Sequence, residues 1–288
     1  MYKIAILGCE NSHAKNFLDL ISAGKYPEIE VIGIYSEEPA AAKKLHDMFN
    51  VPIMEHYGEL QGQVDGVMIT ARHGDNHYRY AKPYLDDGIP MFIDKPITCS
   101  EEEAVEFMRV AKQKNLRLCG GSTCAALKET IELAEIVREK SIGTVKSGYV
   151  IAPIHPESPY GGFYFYAQHL AEVMTTIFGE NIDEVCANRQ GDLFTYLARY
   201  DGYDVTGSYV KGISYYYAAV GGEKELQART LNFTPASFEH EMNDMLDLLH
   251  GKEMKKTYES FITPVFVINA ILRSLESGKW EKINPIVI

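Results

Sequence analysis

The chain has 288 residues, of which 46% are hydrophobic and 24% charged, a composition that suits a globular protein with one large or two medium-sized cores. Its formal net charge is −12 and it has no basic cluster, so long-range repulsion disfavours a nucleic acid as a partner. No apolar run approaches the roughly 20 residues of a transmembrane helix, so we predict no membrane partner either.

Up to about residue 122, short apolar runs alternate with amphipathic segments. The apolar runs predict strands of a parallel sheet covered on both faces, and they read YKIAIL, EVIGIY, VPIM, VDGVMIT, IPMFI and LRLCGG. The segments between them predict helices over residues 12–23, 39–49, 77–87 and 101–113. This alternation predicts an α/β fold whose N-terminal domain, residues 1–122, is a Rossmann-type, doubly wound parallel sheet.

The pattern changes after a helix predicted near residues 126–139. Segments rich in aromatic and β-branched residues predict strands at KSGYVIAP, YDVTGSYVKG, ISYYYAAV and KELQARTLNF. VGGEK lies between the last two and predicts a hairpin turn, and two more helices are predicted near residues 238–249 and 260–277. We therefore predict a C-terminal α+β domain, residues 123–288, with a mostly antiparallel sheet.

The loop after the first predicted strand, in ILGCENSH, has the position of a dinucleotide-binding turn. The fingerprint G-x-G-x-x-G would place glycines at positions 8, 10 and 13, where this chain has Gly8, Glu10 and His13. Asn11 and Ser12 are good N-cap residues, so the helix N-terminus that would hold a pyrophosphate is kept. A Glu10 carboxylate that pointed at the phosphates would add a repulsion of about 1–4 kcal/mol.

Two further positions at predicted strand ends concern the cofactor. Ser36 stands where NAD enzymes carry the carboxylate that holds the adenosine ribose, and Glu37 and Glu38 follow it. Two adjacent carboxylates repel the 2′-phosphate of NADP, so the residues favour NAD, with NADP left open. Thr70 ends the fourth predicted strand and is expected near the nicotinamide half.

Cysteine and histidine usage indicates the compartment and the metal content. The five cysteines are scattered and odd in number, which suits a reducing cytoplasm rather than a disulfide framework. The chain enters its first predicted strand at once, so we expect no signal peptide. His73 and His77 are four residues apart but lack further ligands in the sequence, and we therefore predict no metal site.

The stretch MFIDKPIT joins a strand, Asp94-Lys95-Pro96 and a capped helix. It resembles the Gfo/Idh/MocA family of NAD(P)-dependent sugar and polyol oxidoreductases, whose usual motif here is Glu-Lys-Pro. HGDNHYRYAKPYLDDGIP resembles the family's histidine-led helix, with His77 in the leading place. GGFYFYAQHLAEVMTTIFG resembles its Gly-Gly, Asp-x-Gly-x-His, then Asp segment, and FEHEMNDMLDLLHG its C-terminal end. The resemblance covers nearly the whole chain.

This resemblance implies hydride transfer between a nicotinamide cofactor and a sugar, polyol or related hydroxy compound. It assigns His169 as the base that takes the hydroxyl proton and Lys95 as the cation that stabilises the developing alkoxide. It also implies a C-terminal domain for substrate binding and oligomerisation, in a homodimer or homotetramer. The expected cofactor contacts are Gly8, Glu10, Asn11, Ser12, His13, Ser36, Thr70, His77, Asp94 and Lys95.

Three departures from the family, Glu10, His13 and Phe165, keep two hypotheses open. Phe165 stands four residues before His169, where the family has an aspartate that can orient the imidazole ring. Glu172 matches the family's later aspartate and can partly compensate, while Tyr164 and Tyr166 can offer hydroxyls, so these three are the expected substrate contacts. The chain is therefore either an NAD(P)-dependent dehydrogenase or a non-catalytic relative that binds or senses a small ligand.

Overall fold

A computed structural model describes the backbone of residues 1–288 and every side chain except that of residue 235. Strands β1 to β5 are Tyr2–Leu7, Ile29–Tyr35, Gly66–Ile69, Met91–Asp94 and Leu118–Gly121. Helices α1 to α5 are Ser12–Ser22, Pro39–Phe49, Asp75–Ala81, Glu101–Gln113 and Lys128–Glu139. Short 3-10 helices cover Lys82–Tyr84 and Thr123–Ala126.

The remaining elements are mostly strands. Strands β6 to β12 are Val145–Pro153, Glu184–Gln190, Leu193–Tyr200, Tyr203–Val210, Tyr216–Gly222, Leu226–Leu231 and Glu281–Lys282. Helices α6 to α8 are Tyr164–Phe178, Pro235–Leu249 and Tyr258–Ser277. Among the described residues, no helix combines the length and the apolarity that crossing a bilayer needs.

The first five strands form one parallel sheet in the order β2-β1-β3-β4-β5. The chain runs from β1 outward to β2 and then returns to β3 on the other side of β1, which makes the sheet doubly wound as predicted. In sheets of this kind, ligands bind at the carboxyl ends of the strands, where the order reverses. The site in this half of the chain is therefore sought at the ends of β1 and β3.

The second sheet has seven strands in the order β11-β10-β6-β9-β8-β7-β12. Its neighbours are antiparallel apart from the central pair β6 and β9. This confirms the predicted α/β fold with a mostly antiparallel C-terminal sheet. Helix α6 lies against the sheet, and eleven of its fifteen residues are buried, including His169.

The chain divides into two compact units. The first comprises Met1–Gly121, Pro235–Phe261 and Ile288, and the second comprises Ser122–Thr234 and Ile262–Val287. Residues 235–261 therefore return to the first unit, although the sequence places them in a domain spanning 123–288. The physical reason is α7, which contacts α1 and β5 and buries Met242 and Met245 in the core of the first unit.

Two predicted elements of the first unit need correction. VPIM is not a regular strand; it joins β2 through an isolated bridge between Ile34 and Ile53, since Pro52 has no N–H for a ladder. The helix predicted over residues 77–87 begins earlier, at Asp75, and ends at Ala81. Pro83 follows in a 3-10 turn, because proline removes an N–H group that a continuing helix would need.

The sequence analysis missed the hairpin of β7 and β8. Its two strands pair from Glu184 with Arg199 to Gln190 with Leu193, which leaves a two-residue loop at Gly191 and Asp192. The inward positions of β7 are occupied by the modest apolar residues Val185 and Ala187, and its last three residues are exposed. Strand β7 therefore lacks the aromatic and β-branched density by which the other strands were predicted, whereas β8, LFTYLARY, has that density and was overlooked.

Candidate functional site

The turn after β1 is tight because the end of β3 approaches it closely. Gly8 has a φ of +90°, and a Cβ built on it would lie 2.3 Å from the Cα atom of Ala71. The N–H groups of Gly8 and Cys9 donate to the carbonyl of Tyr35 at 2.8 and 3.0 Å. Thr70, expected at the cofactor, is fully buried, and its hydroxyl donates to the Gly8 carbonyl at 3.0 Å. Thr70 therefore supports the turn, and its expected place near the nicotinamide half stays a prediction.

Helix α1 starts with a polar cap directly after this turn. Asn11 has an extended backbone, and its Oδ1 atom accepts a hydrogen bond from the N–H of His13 at 3.3 Å. Ser12, the first residue of the helix, is exposed. The first-turn N–H groups give this end of α1 a partial positive charge, which is the feature that binds phosphate groups in such folds.

A buried carboxylate ties the α1 cap to the end of β4. Asp94 Oδ2 accepts from the Asn11 side-chain amide at 2.7 Å and lies 3.0 Å from Nδ1 of His13. Asp94 Oδ1 accepts from the N–H of Lys95 at 2.7 Å. Asp94 is fully buried and organises the edge of the sheet, and its expected contact with a cofactor stays a prediction.

The charges of this cluster stabilise one another. Burial would raise the pKa of Asp94, but the adjacent His13 and Lys95 cations hold it well below its usual range. Burial likewise acts to lower the pKa of His13, and the Asp94 carboxylate more than offsets this, so the net shift is upward. His13 therefore carries positive charge more readily than an exposed histidine does, and it lies in the first turn of α1.

Lys95 follows β4 at the carboxyl edge of the parallel sheet, and only 5% of it is exposed.

His77 has a structural role in this region. It is fully buried, with Nε2 2.8 Å from the Ala71 carbonyl and Nδ1 2.5 Å from the Pro96 carbonyl. Burial lowers the pKa of His77. It therefore connects the loop after β3 to the segment after β4, and its expected place at the cofactor stays a prediction.

Glu10 spans two strand ends. Its Oε2 atom accepts a hydrogen bond from the Ser36 hydroxyl at 2.6 Å, and Oε1 accepts from the Arg72 N–H at 3.0 Å. Ser36 comes directly after β2, and Arg72 lies just beyond β3. The carboxylate thus lies across the end of β1, at the point where the strand order reverses.

One cluster of potential metal ligands lies in the described part of the chain, formed by His73, Asp75 and Cys99. Their ligand atoms are within 4.8 Å of one another, and the His73 Nδ1 atom already accepts from the Asp75 N–H at 3.3 Å. Burial and the Asp75 carboxylate raise the pKa of the Cys99 thiol, which keeps it protonated. The cluster differs from the His73 and His77 pair considered above, and it enters no step of the proposed reaction.

In the second unit, His169 lies in the second turn of α6 and is 6% exposed. Its Nδ1 atom is 2.7 Å from the hydroxyl oxygen of Ser122, which also accepts from the Cys124 N–H at 3.2 Å. The ring of Tyr216 stands edge-on to the imidazole, with centroids 5.8 Å apart. A serine hydroxyl therefore orients this ring from outside α6, one residue beyond the end of β5.

Glu172 acts one step further from the imidazole than the resemblance implies. Its Oε2 atom accepts from the Ser122 N–H at 2.9 Å and from the side-chain amide of Gln168 at 3.0 Å. Glu172 and Gln168 are buried. The carboxylate thus fixes the backbone of the residue whose hydroxyl bonds to His169, and its expected contact with a substrate stays a prediction.

The aromatic residues at the start of α6 divide in the same way. The hydroxyl of Tyr164 donates to Asn269 Oδ1 on α8 at 2.8 Å, so it braces two helices. The ring of Tyr166 lies 5.6 Å from that of His169 and 4.9 Å from that of His155. Phe165 packs on the ring of Tyr166 at 4.9 Å. Of the two tyrosines expected at the substrate, the structure brings Tyr166 to the histidine.

The N-terminal part of the chain is similar in sequence to a known protein family. Residues 2–122 match the sequence model of the Gfo/Idh/MocA group, described as an oxidoreductase family with an NAD-binding Rossmann fold. The match covers less than half of the chain, so this part of the sequence is similar to the Gfo/Idh/MocA family. No match to the sequence is found among the curated proteins.

Solved structures of similar fold cover both units. GenD2 from gentamicin A biosynthesis, in complex with NAD, is 14% identical, with 99% of this chain and 97% of that one covered and a TM-score of 0.86. Scyllo-inositol dehydrogenase from Lactobacillus casei, with NAD(H) and scyllo-inositol, is 16% identical over 98% and 99%, at 0.83. Myo-inositol dehydrogenase from Corynebacterium glutamicum is 17% identical over 99% of each chain, at 0.82.

His13, which stands where the dinucleotide fingerprint has a glycine, is surrounded by aromatic and acidic side chains. The ring of His13 stands edge-on to those of Phe17 and Phe238, at 6.1 and 5.3 Å between centroids, in addition to its pairing with Asp94.

Ser122 and Tyr216 were not predicted as site residues from the sequence. The available signal for Ser122 is its place in the sequence directly after the Gly-Gly that ends β5.

Proposed function

We propose that this protein is an NAD-dependent oxidoreductase that transfers hydride between a nicotinamide cofactor and a secondary alcohol of a sugar, polyol or related hydroxy compound. The observation that carries the proposal is the position of Lys95. It follows β4 at the same carboxyl edge as the Gly8 turn and the capped N-terminus of α1. Similar folds crystallised with NAD(H), one of them also with scyllo-inositol, support this substrate class.

The residues of the first unit fit a dinucleotide. Any side chain at position 8 would collide with Ala71, so the turn keeps the shape that the fingerprint requires. Asn11 and Ser12 at the start of α1 would hold the pyrophosphate through N–H groups, with the charge of His13 behind them. When bound, NAD supplies the acceptance or donation of a hydride.

The protein's own groups would manage the proton and the charge. We assign Nε2 of His169 as the atom that takes the hydroxyl proton, because Ser122 holds Nδ1. The ammonium group of Lys95 would stabilise the alkoxide as it develops. On this proposal the first unit binds the cofactor, and the second unit supplies the base and the main substrate contacts.

We further infer a homodimer or homotetramer that works in the cytoplasm. Along β8, the exposed Leu193 and Leu197 alternate with the buried Phe194 and Tyr196, so the sheet face opposite the core carries apolar side chains. All five cysteines are thiols, which suits a reducing compartment. Light scattering on the purified protein measures the oligomeric state directly.

One observation favours a second candidate, a relative that binds a small ligand without catalysis. Phe165 places an aromatic ring where the family resemblance implies the aspartate that orients the base, and that ring packs on Tyr160 and Tyr166. A hydroxyl from Ser122 orients the imidazole more weakly than a carboxylate does. The dehydrogenase is favoured because Lys95 and an oriented His169 are both present.

The two candidates differ in turnover. With NAD⁺ and a panel of inositols, sugars and sugar acids, we expect NADH formation that His169→Ala and Lys95→Ala each reduce by at least about 100-fold. Both variants should still bind NADH, and the surface changes His56→Ala and Lys114→Ala should leave the rate unchanged. Saturable binding of a polyol with no NADH formed would favour the non-catalytic candidate.

A further inference from the structure

The adenosine end of a dinucleotide needs a hydrogen-bond acceptor that the sequence does not supply in the usual place. In Rossmann folds, an acidic residue at the end of the second strand binds the ribose hydroxyls of NAD. Here β2 ends at Tyr35 and is followed by Ser36, a small hydroxyl that cannot receive both hydroxyls of a diol as a carboxylate does. The structure places another carboxylate beside it.

That carboxylate belongs to Glu10, two residues beyond the Gly8 turn. The Ser36 hydroxyl donates to its Oε2 at 2.6 Å, and the Arg72 N–H donates to its Oε1 at 3.0 Å. These two bonds draw the side chain toward the ends of β2 and β3. The N-terminus of α1 has a cap of its own in Asn11.

We propose that Glu10 supplies the carboxylate that binds the adenosine ribose diol of NAD(H), in place of an acid at the end of β2, and that it thereby selects NAD over NADP. The proposal rests on the proposed function and assigns this chain's own ribose contact. It also reverses the expectation that Glu10 opposes the cofactor: the same charge that would repel a misplaced pyrophosphate is an acceptor for two hydroxyls.

The contacts of Glu10 leave room for this task. Each carboxylate oxygen has two lone-pair directions, and each receives one protein hydrogen bond, so both oxygens keep a direction for a ribose hydroxyl. Glu10 is partly exposed, whereas Ser36 behind it is buried. The Ser36 and Arg72 donors hold the side chain in one orientation, which lowers the entropic cost of binding a diol.

The charges around this point disfavour a 2′-phosphate. Glu37 and Glu38 follow Ser36 directly, so three carboxylates belong to this short region. The nearby cation Arg79 forms an ion pair with Glu37 and lies over the ring of Tyr80, 5.1 Å from its centroid. A phosphate on the ribose 2′-oxygen would meet the Glu10 carboxylate at hydrogen-bond range, where like charges repel strongly.

Glu10→Gln tests this assignment by binding rather than by activity. Calorimetric titration of wild type with NADH, NADPH, ADP and 2′-deoxy-ADP measures how much the 2′-hydroxyl contributes. We expect wild type to prefer ADP over 2′-deoxy-ADP by about 10-fold, the size of one hydrogen bond to a charged group. In Glu10→Gln, NADH should bind about 10-fold more weakly, the preference for ADP should fall to about 2-fold, and the preference for NADH over NADPH should narrow.

Glu30→Gln is the matched control, since it removes the same charge from an exposed position on β2 and should change no affinity. An unchanged preference for ADP in Glu10→Gln would overturn the assignment while NADH binding by wild type upheld the proposed function. Tighter binding of both NADH and NADPH by Glu10→Gln would also overturn it and would place the carboxylate against the diphosphate. A wild type that bound none of the four ligands would remove both proposals.

Discussion

At the scale of single residues, the departures from the dinucleotide fingerprint are compensated by partners far away in sequence. His13 occupies a position where a glycine would allow close helix packing, and it stands between Phe238 of α7 and the carboxylate of Asp94. The histidine therefore contributes a charge to the edge of the sheet as well as filling space. Its charge state gives the residue a measurable effect on stability.

We expect that effect to depend on pH. The pKa of His13 is higher in the folded chain than in the unfolded one, so its stabilisation is complete below the unfolded value near 6.5 and is lost as pH rises through the folded value. His13→Asn should lower the free energy of unfolding at pH 6 by about 3 kcal/mol, because it leaves Asp94 without its buried partner. The difference from wild type should shrink by pH 9.

Thermal and urea unfolding, followed by circular dichroism between pH 5.5 and 9, measures this. His240→Asn, which changes an exposed histidine on α7, is the control and should follow wild type throughout. Parallel pH profiles for wild type and His13→Asn would contradict the ion pair.

Ser122 is the second residue whose role can be isolated. If its hydroxyl orients His169, Ser122→Ala should reduce kcat about 10-fold, the value of one hydrogen bond, with little change in KM. Ser122→Thr keeps the hydroxyl and should recover most of the rate. Equal losses in the alanine and threonine variants, or a loss confined to KM, would contradict a positioning role; Ser141→Ala on the surface serves as the control.

At the scale of elements, the turn between β1 and α1 is fixed by backbone geometry. Gly8 and Gly24 both have positive φ values, of 90° and 74°. A Cβ at Gly8 would meet Ala71 at 2.3 Å, whereas one at Gly24 would meet no heavy atom within 4 Å in the described part of the chain. Alanine substitutions at these two glycines therefore distinguish the cost of backbone strain from the cost of a steric collision.

We expect Gly24→Ala to cost about 1 kcal/mol from backbone strain alone. Gly8→Ala should cost about 3 kcal/mol, since the collision with Ala71 adds the cost of overpacking, and it should abolish NADH binding. Urea unfolding and fluorescence titration measure the two effects. Equal destabilisation in the two variants would contradict the close approach of β1 and β3.

Most helices and strands of the first unit could be predicted from the sequence. Continuous apolar runs identified the parallel strands, and α2 and α4 were predicted with their observed bounds, because Pro39 and Ser100 are strong start signals. The edge positions Gly8 and Lys95 follow from the strand–turn pattern. Contacts made over long separations could not be read, since Ser122 and His169 are 47 residues apart and Glu10 and Ser36 are 26 apart.

The burial of a polar side chain also affects which groups it can bond to, and the composition of the sequence does not show this. Asp94, Thr70 and His77 have the chemistry of cofactor ligands, yet each is fully buried and bonded to backbone or cap groups. A sequence pattern locates such residues near the site, while their direction depends on packing. The sequence therefore predicts the region of the candidate site, while the contacts of each residue depend on packing that it does not show.

In the whole molecule, the first compact unit is built from stretches of sequence that are separated by residues of the second unit. Helix α7 returns to the first unit and buries Met242 and Met245 beside β5 and α1. Met242→Ala should lower the free energy of unfolding by about 3 kcal/mol through cavity formation. Met48→Ala, at a half-exposed position on α2, should change it by less than about 0.5 kcal/mol. Equal effects in urea unfolding would contradict the place of α7 in this core.

We expect the first unit to hold a dinucleotide although two fingerprint glycines are replaced. Titration of the wild-type protein with NADH, followed by nicotinamide fluorescence, tests this without knowledge of the substrate. The expected result is saturable binding of one NADH per chain at micromolar concentration, with NADPH weaker by about 10-fold or more. Absence of saturable binding of either nucleotide at millimolar concentration would contradict it.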